Sequence, residues 1–240
     1  MRFIKLAMAV LSLSFVAATA GASPASPVTN IDFRTLDKTQ PVDSGNKVEV
    51  IEFFWYSCPH CNVFDPDLAE WVKAQGDNIA FKRVPVAFRP GDAPQQKLYY
   101  ALEAMGKVEE LHRKIFHAIH VDHKPLNDEG AIADFVASQG VDRAKFLSAY
   151  NSFGVQTKAQ RATQLTQLYK VDGVPLIAIG GRYETSPSII GDQLGYKPEQ
   201  ELHAATLKVM NWLVVKEAKE HKPQAAAPAK VDKASSPANK

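Results

Sequence analysis

One short run confines the fold more than any other in this chain: "VEVIEFFWYSCPHC", residues 48–61. Residues 48–55 are nearly all apolar and rich in β-branched and aromatic types, the composition of a strand buried on both faces. Two cysteines follow at once, Cys58 and Cys61, and they are the only two in the 240 residues. From Pro59 onward apolar residues recur at helical spacing, at Val63, Phe64, Leu68, Trp71 and Val72. Proline suits the first turn of a helix, where its missing amide would have no partner. The cysteine pair therefore sits where a buried strand passes into a helix, and Pro66 is expected to kink that helix.

The pattern downstream narrows the fold class. Residues 79–86, "IAFKRVPV", form a second strand, with Pro85 marking an edge or exit. About ninety residues with almost no strand signal follow. Helices are expected near 94–106, 109–121, 128–139, 142–152 and 156–170, separated by Gly106, Asn127, Gly140 and Gly154. Then "VDGVPLIAIGGRYE" predicts a turn, a strand at 176–180, a glycine hairpin at 180–181 and a partner strand near 182–185. A last helix over 198–217 carries Leu202, Leu207, Val209, Met210, Leu213 and Val214. Strand–helix–strand implies a parallel pair with a crossover helix, and the closing hairpin adds antiparallel strands. A CxxC at a strand-to-helix junction in this pattern reads as a thioredoxin-like redox motif. The expected fold is α/β and thioredoxin-like, with a helical domain inserted between the second and third strands of the core.

The ends of the chain place it outside the cytosol. Arg2 and Lys5 precede an apolar stretch at 6–18, and Ala18-Thr19-Ala20 or Ala20-Gly21-Ala22 fits a small-residue cleavage site. Such a stretch falls short of the roughly 20 apolar residues of a membrane span. Residues 1–22 are thus expected to be a cleaved export signal, delivering the chain to the bacterial periplasm, where disulfides persist. Residues 219–240 are rich in Ala, Pro and Lys and are expected to be a disordered basic tail. The tail carries a formal charge of +3 and the first 22 residues +2, so the body, 23–218, carries −3. A body so balanced gives no sign of nucleic-acid binding. The expected domains are a thioredoxin-like unit built from 23–90 and 172–218, and the helical insertion, 91–171.

The cysteine pair admits three uses. A structural disulfide stabilises by closing a loop, and bridging positions 58 and 61 closes almost nothing. A zinc site needs four ligands, and there is no second cysteine pair. Haem attachment requires a histidine directly after the second cysteine, where Asn62 stands. His112, His117, His120 and His123 cluster in sequence, but no carboxylate at firm spacing completes a metal shell. They are expected to be solvated or capping residues of an amphipathic helix. Thiol chemistry remains. The thiolate is the reactive form, and a helix N-terminus favours negative charge through its free amides and dipole. Cys58 is therefore expected to be the exposed, acidic nucleophile, Cys61 the buried resolving thiol one turn in, and His60 a further aid to the anion. Stabilising the Cys58 thiolate favours the reduced protein, which makes the disulfide a strong oxidant.

With "EFFWYSCPHC" at 52–61 and "GVPLIAIGGRY" at 173–183 flanking a helical insertion, the chain resembles the DsbA family of bacterial periplasmic thiol:disulfide interchange proteins over nearly all of residues 30–217. The resemblance implies that Cys58-Pro59-His60-Cys61 is the redox centre. It implies that Val174-Pro175 is a cis-proline loop packed beside the disulfide, where the Val174 backbone pairs with an extended client. It implies that Glu52 is a buried acid beneath the site with Lys82 as its basic partner, able to relay the Cys61 proton. It implies reoxidation by a quinone-linked membrane partner of the DsbB type. The resemblance implies no cofactor beyond the Cys58–Cys61 disulfide and no metal. Clients would be unfolded or folding exported proteins with free thiols. The basic tail, the "WYS" before Cys58 and the proline in "RVPV" have no counterpart from which a role follows. A disulfide isomerase or reductase, or a non-catalytic peptide-binding chaperone, are the alternatives on the same fold. Family isomerases carry a substantial N-terminal dimerisation domain, whereas about 25 residues separate the expected cleavage region from the first strand here. A monomer is expected.

Overall fold

A computed structural model of the chain describes residues 26–194 and 197–220. The expected export signal, and the expected tail beyond Glu220, lie outside those residues. The central strand and the helix after the cysteines stand where the sequence places them: β2, Val48–Phe54, is buried at every position, and α1 spans Pro59–Gln75. β1 is the two-residue Arg34–Thr35, and β3 is Ile79–Pro85. Five helices follow in a row: α2 Ala93–Ala104, α3 Val108–His120, α4 Glu129–Ser138, α5 Arg143–Tyr150 and α6 Phe153–Leu168. The chain then returns as β4 Leu176–Ile179 and β5 Tyr183–Thr185, and closes with α7 Pro187–Leu194 and α8 Glu199–Glu220.

The strands form one sheet in the order β1-β5-β4-β2-β3. Only β2 and β3 run parallel, joined by the α1 crossover, and the other pairs are antiparallel. The helical insertion leaves after β3 and rejoins at β4, as the pattern predicts. One face of the sheet packs on α1 and α8 through Val50, Phe64, Leu68, Ile177, Met210 and Leu213. The other core runs through Phe53, Leu176 and Ala178 into the inserted helices at Leu102, Phe116 and Phe146. The β4–β5 turn needs its two glycines. Gly180 and Gly181 have φ of 60° and 65°, and a Cβ on Gly181 would lie 2.3 Å from the Gln40 carbonyl oxygen.

Three features depart from the sequence expectation. β1 is too short to carry a pattern and is fixed by pairing, with Leu36 N donating to Arg182 O and Gln40 N to Gly181 O, each at 2.8 Å. α7 was not expected, although Ser186 caps it by accepting from Ile189 N at 3.0 Å and Pro187 follows in its first turn. α8 runs to Glu220, three residues past the expected end at 217, because Glu220 holds Arg182 at 3.0 Å and Tyr183 at 3.1 Å on β5 and its approach.

Candidate active site

Cys58 is the N-cap of α1, with extended φ and ψ of −81° and 117°, and Pro59 opens the helix. The Cys61 amide, one of the helix's free first-turn donors, points at the Cys58 sulfur at 3.4 Å. The thiol in turn donates to Val174 O at 3.3 Å. Both cysteines are free thiols. The expectation of an exposed Cys58 is corrected here. Only 7% of the residue is accessible and none of Cys61 is, because the capping position turns the sulfur inward and the Val174 carbonyl covers it. The Val174-Pro175 bond is cis, as the resemblance implies.

The two thiols are driven apart electrostatically. Cys58 falls from 9.0 to about 6: the Cys61 thiol donating to it is the largest cause, the Cys61 and His60 amides and the His60 charge add, and burial opposes. Cys61 is pushed well above its ordinary value, by burial first and then by the neighbouring Cys58. The His60 side chain is held from the other side of the motif. It is largely exposed, and its Nδ1 lies 2.8 Å from Glu199 Oε1 at the start of α8. Beyond Pro175 an apolar groove of about 660 Å³ opens between His60, Pro187, Leu202 and Glu199.

Beneath the cysteines Glu52 is 1% exposed, as its apolar neighbours on β2 predict. Its partner is Arg83, not Lys82. Arg83 Nε lies 2.8 Å from Glu52 Oε2, and Lys82 Nζ instead lies 2.6 Å from Glu49 Oε2. The reason is the two-residue period of a strand. Glu52 stands opposite Arg83 in the parallel register, whereas Lys82 stands opposite Ile51, on the other face. Arg83 also reaches Asp65 Oδ1 at 3.1 Å. Glu52 is pushed up to about 7, by burial first, with Arg83 opposing and Asp65 and Cys58 adding to the rise.

A profile of the DSBA-like thioredoxin domain matches residues 49–194. The chain belongs to the DsbA family. The thiol:disulfide interchange protein DsbA of Burkholderia cepacia is 49% identical over 180 residues, spanning 75% of this chain and 85% of that protein. The protein of the same name from Bordetella parapertussis is 41% identical over 211 residues, 88% and 96% of the two chains. The crystal structure of Pseudomonas aeruginosa DsbA superposes with a TM-score of 0.73 at 34% identity, covering 81% of this chain and 96% of that one.

Five residues near this DsbA-type site escaped the sequence reading: Asp65, Arg83, His112, Tyr56 and Glu199. His112 is a correction as well as an omission. Expected to be solvated or capping, it is 5% exposed, with its Nδ1 2.8 Å from the Tyr56 hydroxyl. His120 also contacts the motif region, its Nε2 lying 2.8 Å from Tyr56 O, while exposed His117 pairs with Asp122 at 3.5 Å. Pro66 is another signal that could have been used. It has no amide to offer Asn62 O four residues back, and Arg113 from α3 takes that carbonyl at 2.8 Å.

Proposed function

We propose that this thiol:disulfide oxidoreductase works as an oxidase, donating the Cys58–Cys61 disulfide to newly exported proteins in the periplasm. One observation carries the direction of the reaction: Cys58 caps α1, accepts from the Cys61 amide, and is lowered from 9.0 to about 6. The sign follows from linkage. A depressed thiol stabilises the reduced protein relative to the disulfide; the gain is complete above 9.0 and disappears as pH falls through about 6. At pH 7, between those two values, part of the gain is present. That difference pushes electrons from client thiols toward the protein.

The steps balance as follows. A client thiolate attacks Cys58 Sγ, the Cys58–Cys61 bond breaks, and Cys61 leaves with the electron pair. Cys61, buried and raised well above its ordinary value, takes up a proton. Glu52, pushed up to about 7, is the group beneath it suited to give one near neutrality. A second client thiolate then attacks the client sulfur of the mixed disulfide. Cys58 departs as a stable thiolate, and the client keeps the disulfide. The redox centre is the cysteine pair itself, with no further cofactor. An extended client pairs with the Val174 backbone across the Pro175 loop and seats apolar side chains in the groove beyond it. Residues 1–22 direct export, and a quinone-linked membrane protein of the DsbB type returns the cysteines to the disulfide.

The test is oxidation of a reduced, unfolded client. Cys58→Ser abolishes it, and Cys61→Ser, whose Cys58 thiolate displaces one sulfur of a client disulfide and has no internal thiol to resolve the product, accumulates a covalent adduct with a disulfide-bearing client. Full retention of client-folding activity in Cys58→Ser would instead mark a peptide-binding chaperone.

A further inference from the structure

We propose that His112 is a positioning residue: from the inserted helices it steadies Asp65, and through Asp65 and Arg83 it sets how readily Glu52 exchanges a proton with Cys61. The inference rests on the oxidoreductase reading and extends it to residues outside the CPHC motif and the proline loop.

The geometry is a continuous buried chain. Arg83 is shared, Nε on Glu52 at 2.8 Å and Nη2 on Asp65 at 3.1 Å. Asp65 Oδ1 lies 3.2 Å from His112 Nε2, and the Tyr56 hydroxyl lies 2.8 Å from His112 Nδ1. The two contacts assign the tautomer. Burial is the leading cause that holds His112 below the usual histidine range, so the ring is neutral at pH 7 and carries one N–H. With Tyr56 donating to Nδ1, the N–H sits on Nε2, on the side of the ring nearest Asp65. Among the described residues Nε2 makes no well-aligned hydrogen bond, and Asp65 at 3.2 Å is the charged acceptor within its reach. Phe54, Tyr56 and Phe116 pack the ring at centroid distances of 5.1–5.2 Å, which leaves little room to turn.

Burial, the largest single influence, pushes Asp65 up, yet it is held below the usual carboxylate range, and His112 is the largest of the causes that lower it, ahead of Arg83 and Arg113. Without the His112 N–H, an ionised Asp65 draws more heavily on Arg83. Arg83 cannot be neutralised, so what changes is its division between two acids. Glu52 loses part of its cation, and its affinity for a proton rises. The titratable and charged groups that face this pair are Arg83 on β3, Cys58, Cys61 and Asp65 on or capping α1, Tyr56 before it, Tyr99 on α2, and Glu109, His112 and Arg113 on α3. Two of the three groups that lower Asp65's proton affinity most directly, His112 and Arg113, come from the insertion. The inserted helices thereby reach the chemistry as well as covering the sheet.

The experiment follows the Glu52 carboxyl by carbon NMR against pH in the full-length oxidised protein, where neither thiol titrates. In His112→Leu the Glu52 midpoint rises by roughly 0.5–1 pH unit. In His112→Gln, which can keep an amide donor toward Asp65, most of that shift is reversed. Tyr56→Phe is the milder second variant. It removes the donor to Nδ1 and loosens the ring while the N–H stays on the side of the ionised Asp65, so the Glu52 midpoint rises less than in His112→Leu. Folded variants whose melting temperature falls while the Glu52 titration stays at the wild-type value would overturn the inference and leave His112 with a packing role. That readout does not depend on turnover. A wild-type protein that fails to oxidise clients counts against the functional reading alone.

Discussion

Two ion pairs cross the same two strands, one on each face of the sheet, and they are built for different ends. On the α1 face, Glu52 and Arg83 are sealed at 1% and 10% side-chain exposure, with Asp65 and His112 behind them. On the other face, Glu49 and Lys82 meet at 2.6 Å, with Lys82 43% exposed. The residue types and strand positions are nearly the same, and the surroundings differ. In the outer pair Glu49 is buried too, at 4% side-chain exposure, but its cation stands half in water, which shares in solvating the charge. The sealed pair places an acid pushed up to about 7 directly beneath two thiols. Burial therefore raises the proton affinity of one acid in an otherwise common cross-strand pair, at a cost in stability.

Breaking each pair from its basic side gives the largest contrast. Arg83→Met leaves Glu52 and Asp65 buried without their shared cation and costs about 3–5 kcal/mol in chemical denaturation at pH 8. Lys82→Met costs less, about 1–2 kcal/mol, because water reaching the half-exposed Lys82 position takes over part of the solvation of Glu49. Equal losses would erase the distinction.

The pH dependence of stability sharpens it. Glu52 rises from 4.5 unfolded to about 7 folded, so its ionisation is disfavoured in the native state. Its contribution is best below pH 4.5, declines as pH rises, and is lower by roughly 3 kcal/mol above pH 7. Glu52→Gln removes that slope in denaturation midpoints measured from pH 4 to 8, while Glu49→Gln leaves it in place.

The smallest effect concerns the outer member of the sealed network. Arg113→Ala removes the donor to the carbonyl that Pro66 frees, together with a 3.9 Å contact to Asp65, from a side chain half in solvent. It lowers stability by about 0.5–1.5 kcal/mol. A loss as large as that of Arg83→Met would place the centre of the network on α3.

How much of this was legible in sequence follows the same division. β2, α1, the insertion and the glycine hairpin announce themselves through apolar period and turn residues, and Cys58, Cys61 and Pro175 through their motifs. Glu52 was legible as a polar residue in an apolar strand. Its partner was not, because Lys82 and Arg83 are both basic and only the strand register decides between them. Applying the two-residue period from a trial alignment of 48–54 with 79–85 would have favoured Arg83. Asp65 and His112 lie 47 residues apart on α1 and α3, and no local pattern reports a helix–helix contact of that kind. The burial of Cys58 was missed for a similar reason, since the carbonyl that covers it comes from Val174, 116 residues away.

The account depends on Cys58 being held as an anion at the start of α1. Ultraviolet absorbance of the thiolate, followed against pH in the reduced protein with Cys61→Ser as a control for assignment, measures that directly. A single transition centred near 6 in the wild type, belonging to Cys58, is the predicted result. A transition near the free-cysteine value of about 8.5 would contradict it, and the assignment of an oxidase would fall with it.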